Sequence, residues 1–155
     1  MRKIALITGG SRGIGAACVC YFARNGYAVV FLANRSVERA QQLTDELRTE
    51  GYDVTFRLCD VSDGNQVTSV IAEILRSYKR IDVLVNCAGV AHIGLFTDMT
   101  EAEWDDLFAV NVRGIFSVTK AVLPGMISRQ AGAIVNVSSM WGEVGASCEV
   151  AYSAA

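Results

Sequence analysis

Thr8-Gly9-Gly10-Ser11-Arg12-Gly13-Ile14-Gly15 is the stretch whose residue types and spacing point most directly to chemistry. The apolar run Ile4-Ala5-Leu6-Ile7 before it has the pattern of a buried strand, and Ile14 to Asn25 after it has the apolar spacing of a helix. Between them the backbone must turn sharply and come close to a ligand, which side chains would prevent. The free N–H groups of the first helical turn then face an anion, and a nucleotide pyrophosphate is the expected guest. A glycine-rich turn with no ligand is the competing reading, and the strand-turn-helix context argues against it.

The end of the second strand reads the other end of such a nucleotide. A dinucleotide fold usually places an acid there, about twenty positions beyond the glycine turn, to bond the adenosine ribose. Here the residues are Leu32-Ala33-Asn34-Arg35, with no acid. A carboxylate would bond the ribose hydroxyls of NAD and repel a 2′-phosphate, whereas Arg35, with Arg12 in the turn, can pair with that phosphate. NADP(H) is therefore expected over NAD(H), with two solvated surface arginines as the alternative. Asp60, in Cys59-Asp60-Val61, follows the third strand at the edge where ligands bind in such folds. Taken alone, an Asp in that place is more often a turn or helix cap.

The elements that must position these residues alternate strand and helix without a linker, repeat or low-complexity tract, which predicts a doubly wound α/β domain. Strands are expected at about 3–8, 28–33, 54–58, 81–85 and 133–137. Helices are expected from Ile14 to Asn25, from Ser36 as N-cap to about Glu50, and from an Asp63 cap to about Tyr78. After a looser segment, Val90 to Met99, the pair Thr100 and Glu103 has the form of a capping box at the head of a helical pattern reaching about Arg129. Pro124 lies inside that pattern and would kink or divide it. Another helix begins near Val150.

Composition bounds the rest. In 155 residues, 52% are apolar and 19% charged, which suits a core-rich α/β domain over residues 1–155 and not a disordered chain. The net charge of −2 offers no general attraction to nucleic acid or an anionic membrane, and neither is expected as a partner. No apolar run approaches the eighteen or so residues of a membrane span and no signal-peptide pattern opens the chain, so a cytoplasmic protein is expected. Cys18, Cys20, Cys59, Cys87 and Cys148 are scattered, mostly in apolar runs, and read as small buried hydrophobes. With one histidine, His92, and no C-x-x-C, a metal site is not expected.

Thr-Gly-x-x-x-Gly-x-Gly departs from the general dinucleotide fingerprint and resembles the version used by the short-chain dehydrogenase/reductase family. Asn86-Cys87-Ala88-Gly89 resembles the family's Asn-Asn-Ala-Gly motif, with cysteine in the second place. Ser139 and Tyr152, in Tyr152-Ser153-Ala154-Ala155, resemble its Ser…Tyr-x-x-x-Lys arrangement, and Asn111 in Val110-Asn111-Val112 matches the fourth member. The resemblance implies a Rossmann-type doubly wound parallel sheet of strand order 3-2-1-4-5. It also implies cofactor contacts from Thr8, Gly9, Ser11, Arg12, Gly13, Ile14, Gly15, Asn34, Arg35, Asp60, Val61, Asn86, Ala88 and Gly89, with Asp60 against the adenine amino group. Asn111, Ser139 and Tyr152 would form the catalytic set. As hydride reaches a carbonyl carbon, the oxygen must gain a proton; tyrosine, with a pKa of about 10, supplies one when a nearby cation stabilises its phenolate. Ser139 would hold the carbonyl oxygen.

The lysine of that arrangement would stand four residues after Tyr152, on the same helical face, at position 156, and the sequence ends at Ala155. The expectation is a C-terminally truncated oxidoreductase, with little turnover of its own and a full-length form that is a homodimer or homotetramer. The overall pattern is similar to 3-oxoacyl-[acyl-carrier-protein] reductases of fatty acid biosynthesis, which implies a carbonyl substrate on acyl carrier protein. Gly94-Leu95-Phe96-Thr97-Asp98-Met99, Ser138-Ser139-Met140-Trp141-Gly142 and Cys148-Glu149-Val150 are similar instead to bacterial reductases of a 5-aminopentanone group on elongation factor P. A non-catalytic nucleotide-binding fragment is a third reading. Trp141 as pocket lining or loop packing, and His92 as substrate contact or solvated loop residue, stay open.

Overall fold

Continuous apolar runs are what a parallel strand covered on both faces requires. In the computed structural model, which describes residues 2–155, β1 (Ile4–Thr8) and β2 (Ala28–Ala33) are buried at every position. With β3 (Val54–Leu58), β4 (Val83–Asn86) and β5 (Ala133–Asn136) they form one sheet of order β3-β2-β1-β4-β5. Every pairing is parallel, with Ile7 opposite Phe31 and Val85, and Phe31 opposite Phe56. This is the expected Rossmann-type sheet.

Successive side chains of a strand face opposite sides, so each strand feeds two cores. Ala5, Ile7, Val29 and Phe31 pack under α1 (Gly13–Arg24) and α2 (Val37–Thr49), through Val19, Ala23, Ala40 and Leu47. Leu6, Val30, Leu32 and Leu84 pack on the other side under α3 (Gly64–Tyr78) and α5 (Gly114–Arg129), through Val67, Ile71, Ile74, Val118, Val122 and Met126. Helix starts follow capping chemistry. Asp63 accepts from the N–H groups of Asn65 and Gln66 at the head of α3. Thr100 and Glu103 form both bonds of the capping box before α4 (Glu101–Phe108). Ser36 does precede α2, but its side chain makes no capping bond.

Other details depart from expectation. Pro124 neither ends nor divides α5; Pro124 and Lys120, whose carbonyl a proline nitrogen cannot bond, are both exposed. The interruption comes earlier, as a π-helical turn at Ala109–Arg113 between α4 and α5. Because helix continues through that turn, Glu101–Arg129 makes a 29-residue stretch with an 18-residue window of mean hydropathy 1.3, long and apolar enough for a span by length and composition. That corrects the expectation that no such stretch exists, although Val118, Val122 and Met126 lie against the sheet. Among the cysteines only Cys59 is buried, its thiol pushed up to about 11 by burial and the nearby charges of Asp60 and Asp63. Cys18, Cys20 and Cys87 are half-buried and Cys148 is exposed. Two short helices close the chain, α6 (Trp141–Val144), unanticipated, and α7 (Val150–Ala154).

Candidate active site

Because all five strands run the same way, their C-terminal ends share one edge of the sheet. Thr8 closes β1, Asn34 follows β2, Asp60 and Val61 lie just beyond β3, Asn86 closes β4, and Ser139 lies just beyond β5. The sheet thereby gathers, along one rim, residues far apart in sequence.

The glycine turn is held against the end of β4. Thr8 Oγ1 accepts from the backbone N–H groups of Cys87 and Ala88, both at 3.0 Å. Gly9, at φ +67°, passes so close that a Cβ there would stand 2.8 Å from Ala88 Cα. Inside the turn, a Cβ on Gly15 would meet the Gly9 carbonyl oxygen at 2.1 Å, which allows helix α1 to start directly beneath the turn. Gly13, at φ +56°, has open space where its side chain would be. The rim of this cradle is exposed: Arg12, Gly13 and Ile14 face solvent, Ile14 at 63%.

These residues fit a nicotinamide dinucleotide. The first turn of α1 contains no acid, and Arg12 at its N-cap makes no side-chain capping bond, so the free N–H groups are open to an anion. Neither Arg12 nor Arg35 has a carboxylate within 4.0 Å among the described residues, which leaves both charges for a phosphate. Asp60 lies nearby and is ionised: hydrogen bonds from Ser62 hold its carboxyl below the ordinary range against burial, helped by Asn34 and the charge of Arg35. Ser62 donates to Asp60 Oδ1 from its hydroxyl at 2.6 Å and its backbone N–H at 2.9 Å.

Asn86 is 2% exposed, and its Nδ2 donates to Asn136 Oδ1 at 2.9 Å and Thr119 Oγ1 at 3.1 Å. Its own Oδ1 is buried with no protein partner. Asn111 sits inside the π-helical turn, where the amide can reach across to the chain after β4. It makes two hydrogen bonds to Val90, Nδ2 donating to the carbonyl and Oδ1 accepting from the N–H, both at 2.9 Å. The side chain of Asn111 is thus occupied in fixing the β4 loop. Gly89 lies beside it, where a Cβ would come within 3.6 Å of Asn111 Oδ1.

Ser139 Oγ accepts from the Trp141 N–H at 3.2 Å, leaving the hydroxyl proton free to donate outward. Tyr152 is half-buried in α7, which packs on α6 and α4. The loop after β4 is joined to the segment before α7 by the Gly94 N–H, which donates to the Cys148 carbonyl at 2.8 Å. His92 is half-buried and lies 3.5 Å from Glu103. Trp141 opens α6 and is half-buried.

Sequence reasoning missed Thr119 and Asn136 as partners of Asn86, and gave Thr8 no role in holding β4. A polar residue ending an apolar strand, as in Val135-Asn136-Val137, was the available signal for Asn136.

Comparison with known proteins agrees with this layout. A family model described as short chain dehydrogenase matches residues 3–155. The chain is 37% identical over 145 residues to the 3-oxoacyl-[acyl-carrier-protein] reductase FabG of Staphylococcus aureus, covering 94% of this chain and 59% of that protein. It is 39% identical over 152 residues to the cyclopentanol dehydrogenase of Comamonas testosteroni, covering 98% and 60% respectively. Among solved structures, an actinorhodin polyketide ketoreductase with NADPH superposes with a TM-score of 0.94 at 34% identity, over 99% of this chain and 59% of that one. A metagenomic short-chain oxidoreductase in complex with NADP gives the same TM-score, 0.94, at 36% identity, over 98% and 69%. The chain therefore spans about three fifths of the length of these curated relatives, 59% and 60%. The glycine turn pinned to the end of β4, the parallel rim and the family match together make this chain a member of the short-chain dehydrogenase family of NAD(P)-dependent oxidoreductases.

Proposed function

We propose that this chain supplies the cofactor site and the serine and tyrosine of a cytoplasmic, NADPH-dependent reductase that turns a ketone into an alcohol, most like a 3-oxoacyl-[acyl-carrier-protein] reductase. The observation that carries the reading is the cradle at Thr8–Gly15, open to an anion and flanked by Arg12 and Arg35 with no paired carboxylate. The FabG relatives support the acyl-carrier-protein substrate, and the NADPH and NADP complexes of similar structures support the cofactor.

Held there, NADPH would be the source of hydride for the carbonyl carbon. Thr8, Gly9, Ser11, Gly13, Ile14 and Gly15 would cradle the pyrophosphate, and Arg12, Asn34 and Arg35 the 2′-phosphate. Asp60 and Val61 would border the adenine, and Asn86, Ala88 and Gly89 the nicotinamide end. Ser139 would hold the carbonyl oxygen by a hydrogen bond from its hydroxyl, keeping its proton, and Tyr152 would deliver the one proton that completes the alcohol. Asn111 would act by keeping the Gly89-Val90 backbone in place. In the family the tyrosine is assisted by a lysine four residues later, so the 155-residue chain is expected to turn over slowly by itself. General acid help of this kind is worth about 10²- to 10⁴-fold. The whole protein would act as a homodimer or homotetramer.

A second reading rests on the loop residues that resemble another class of reductase. The loops that resemble reductases of the 5-aminopentanone group on elongation factor P are joined to each other by the Gly94 to Cys148 bond. The test is NADPH consumption by the chain extended through a lysine four residues after Tyr152, with a 3-oxoacyl thioester of acyl carrier protein and with aminopentanone-bearing elongation factor P. Faster turnover of the thioester is expected; preference for elongation factor P would select the second reading. Cofactor binding without turnover of any ketone would leave a nucleotide-binding module.

A further inference from the structure

Among the described residues, three that are not glycine have positive φ: Lys79 at +66°, Gln130 at +52° and Cys148 at +61°. Lys79 and Gln130 are the C-caps of α3 and α5, where a left-handed residue commonly ends a helix. Cys148 ends no helix. It is the third residue of a turn closed by the Glu149 N–H, which donates to the Ala146 carbonyl at 3.2 Å. With positive φ that place usually goes to glycine or asparagine, because a Cβ there crowds the following carbonyl. The thiol gives no reason for the conformation, since its one hydrogen-bond contact among the described residues is with the neighbouring Ser147 hydroxyl, at 3.8 Å. The backbone gives one: the Cys148 carbonyl accepts from the Gly94 N–H at 2.8 Å. Gly94 belongs to the loop after β4, whose alternate residues are each tied down, Val90 by Asn111 at 2.9 Å and His92 by Glu103 at 3.5 Å. On the other side of the bond, Glu149 is the N-cap of α7, and its carbonyl accepts from the Ser153 N–H at 2.9 Å, across the turn that carries Tyr152. Ser153 Oγ accepts from the Ala146 N–H at 3.2 Å, which closes that turn onto residues 146–149.

We propose that Cys148 is a positioning residue for proton transfer: its left-handed backbone sets the heading of α7, and the bond from Gly94 locks that heading to the loop at the cofactor rim. A residue in a sparsely populated conformation persists only where its surroundings over-determine it, and such residues gather where geometry serves function. Here the Gly94 bond, the Ala146 to Glu149 turn and the Ser153 tie do so together. In an extended or right-handed conformation the Cys148 carbonyl would turn away from Gly94, and Tyr152, four residues on, would be carried off with α7. Proton delivery needs a hydrogen-bond reach of about 2.6–3.2 Å, so a small displacement of the phenol is felt in turnover. Cofactor affinity is spared, because α7 packs on α6 and α4 and the cradle at Thr8–Gly15 is built from β1, α1 and the end of β4. The inference rests on the reading of Tyr152 as proton donor, and not on which ketone is reduced.

The test compares Cys148→Gly, which accepts positive φ freely, with Cys148→Val, whose branched Cβ opposes it. Turnover and NADPH affinity are measured in the lysine-extended chain, with and without Tyr152→Phe, and exchange of the Gly94 amide is followed by NMR in the 155-residue chain. The glycine variant is expected to keep turnover within about two-fold of the parent, and the valine variant to lose roughly ten-fold or more at unchanged NADPH affinity. Added to Tyr152→Phe, the valine substitution should cost nothing further, which a general loss of structure would not reproduce. The Gly94 amide should exchange slowly in the parent and the glycine variant, and faster in the valine variant. A glycine variant that loses as much as is expected of valine would assign the effect to the thiol and overturn the proposal. So would a valine variant that turns over like the parent, an equal cost of valine with and without the phenol, or an unprotected Gly94 amide in the parent. Should the valine variant not fold, the glycine variant and the Gly94 amide decide by the same outcomes. An extended parent without turnover, or a Tyr152→Phe variant as fast as the parent, instead removes the proton-donor reading itself, and this inference with it.

Discussion

Single side chains at the rim of the sheet carry separable tasks. Tyr152→Phe removes only the hydroxyl, so in the lysine-extended chain turnover should fall by about 10²- to 10⁴-fold while NADPH affinity stays the same. Steady-state rates and a cofactor titration, compared in one variant, read the two quantities apart. Arg35→Glu places the missing acid after β2. A lost charge-assisted bond costs about 1.5–3 kcal/mol, so NADPH affinity should fall by roughly ten- to a hundred-fold while NADH affinity holds or rises, as measured by cofactor titration. The same loss for both cofactors would mean that Arg35 does not read the 2′-phosphate. Legibility at this scale followed locality. The turn at Gly9, Gly13 and Gly15 was readable because its meaning lies in short spacings within one strand-turn-helix unit, whereas the bonds from Asn86 to Thr119 and Asn136 join residues distant in sequence.

Among elements, the connection of β1 to β4 separates two kinds of glycine. Gly9 and Gly26 both have positive φ, +67° and +82°, but a Cβ on Gly26 meets nothing within 4 Å. Gly26→Ala should therefore cost only backbone strain, about 1 kcal/mol, and leave cofactor binding unchanged. Gly9→Ala adds a collision with Ala88 on top of the same strain, so its thermal midpoint should fall further and NADPH should stabilise it less. Equal midpoints for the two variants would show that the β1 to β4 approach yields freely. Strands β2 and β3 were legible to the residue for different reasons: β2 is an unbroken apolar run covered on both faces, and β3, at the edge of the sheet, alternates Val54, Phe56 and Leu58 with Thr55 and Arg57. The π-helical turn was not, because the run Leu107-Phe108-Ala109-Val110 is apolar all round and hides a change of phase, and Pro124 gave a louder but misplaced signal.

For the whole molecule, we propose that residues 1–155 unfold as one cooperative unit, because β1 and β4 in the middle of the sheet belong to both cores. Asp82 ties this centre together: its Oδ2 accepts from the Ile4 N–H at 2.8 Å and its Oδ1 from Arg80 Nε at 2.8 Å. Burial pushes its carboxyl up, but the bonds from Arg80 and Ile4, with the charges of Arg80 and Arg129, hold it below the ordinary range. A carboxyl depressed in the fold contributes stability in full above its unfolded value, about 4, and loses it as pH falls through the lower folded value. Asp82→Asn should cost about 1–3 kcal/mol at neutral pH, with the gap to the parent closing below about pH 4 in urea melts. A gap that stays constant into acid would assign the loss to packing. The doubly wound α/β class was legible because strands and helices alternate without interruption, and the strand order followed from the family resemblance, whereas a contact such as Asp82 to Ile4 exists only once the sheet has formed.

The π-helical turn at Ala109–Arg113 also acts as a phase shifter. One residue advances an α-helix by roughly 100°. The extra residue lets α5 keep Val118, Val122 and Met126 on the sheet while α4, with Trp104 and the carboxylates of Glu101 and Asp105, takes a different azimuth. Deleting one residue there would restore a single phase to both helices. The face of α4 would swing by about a quarter of a turn, and Asn111 would lose its hold on Val90 in the same movement. The orientation of the acidic, aromatic face and the rigidity of the loop at the cofactor rim are in this way set by one inserted residue.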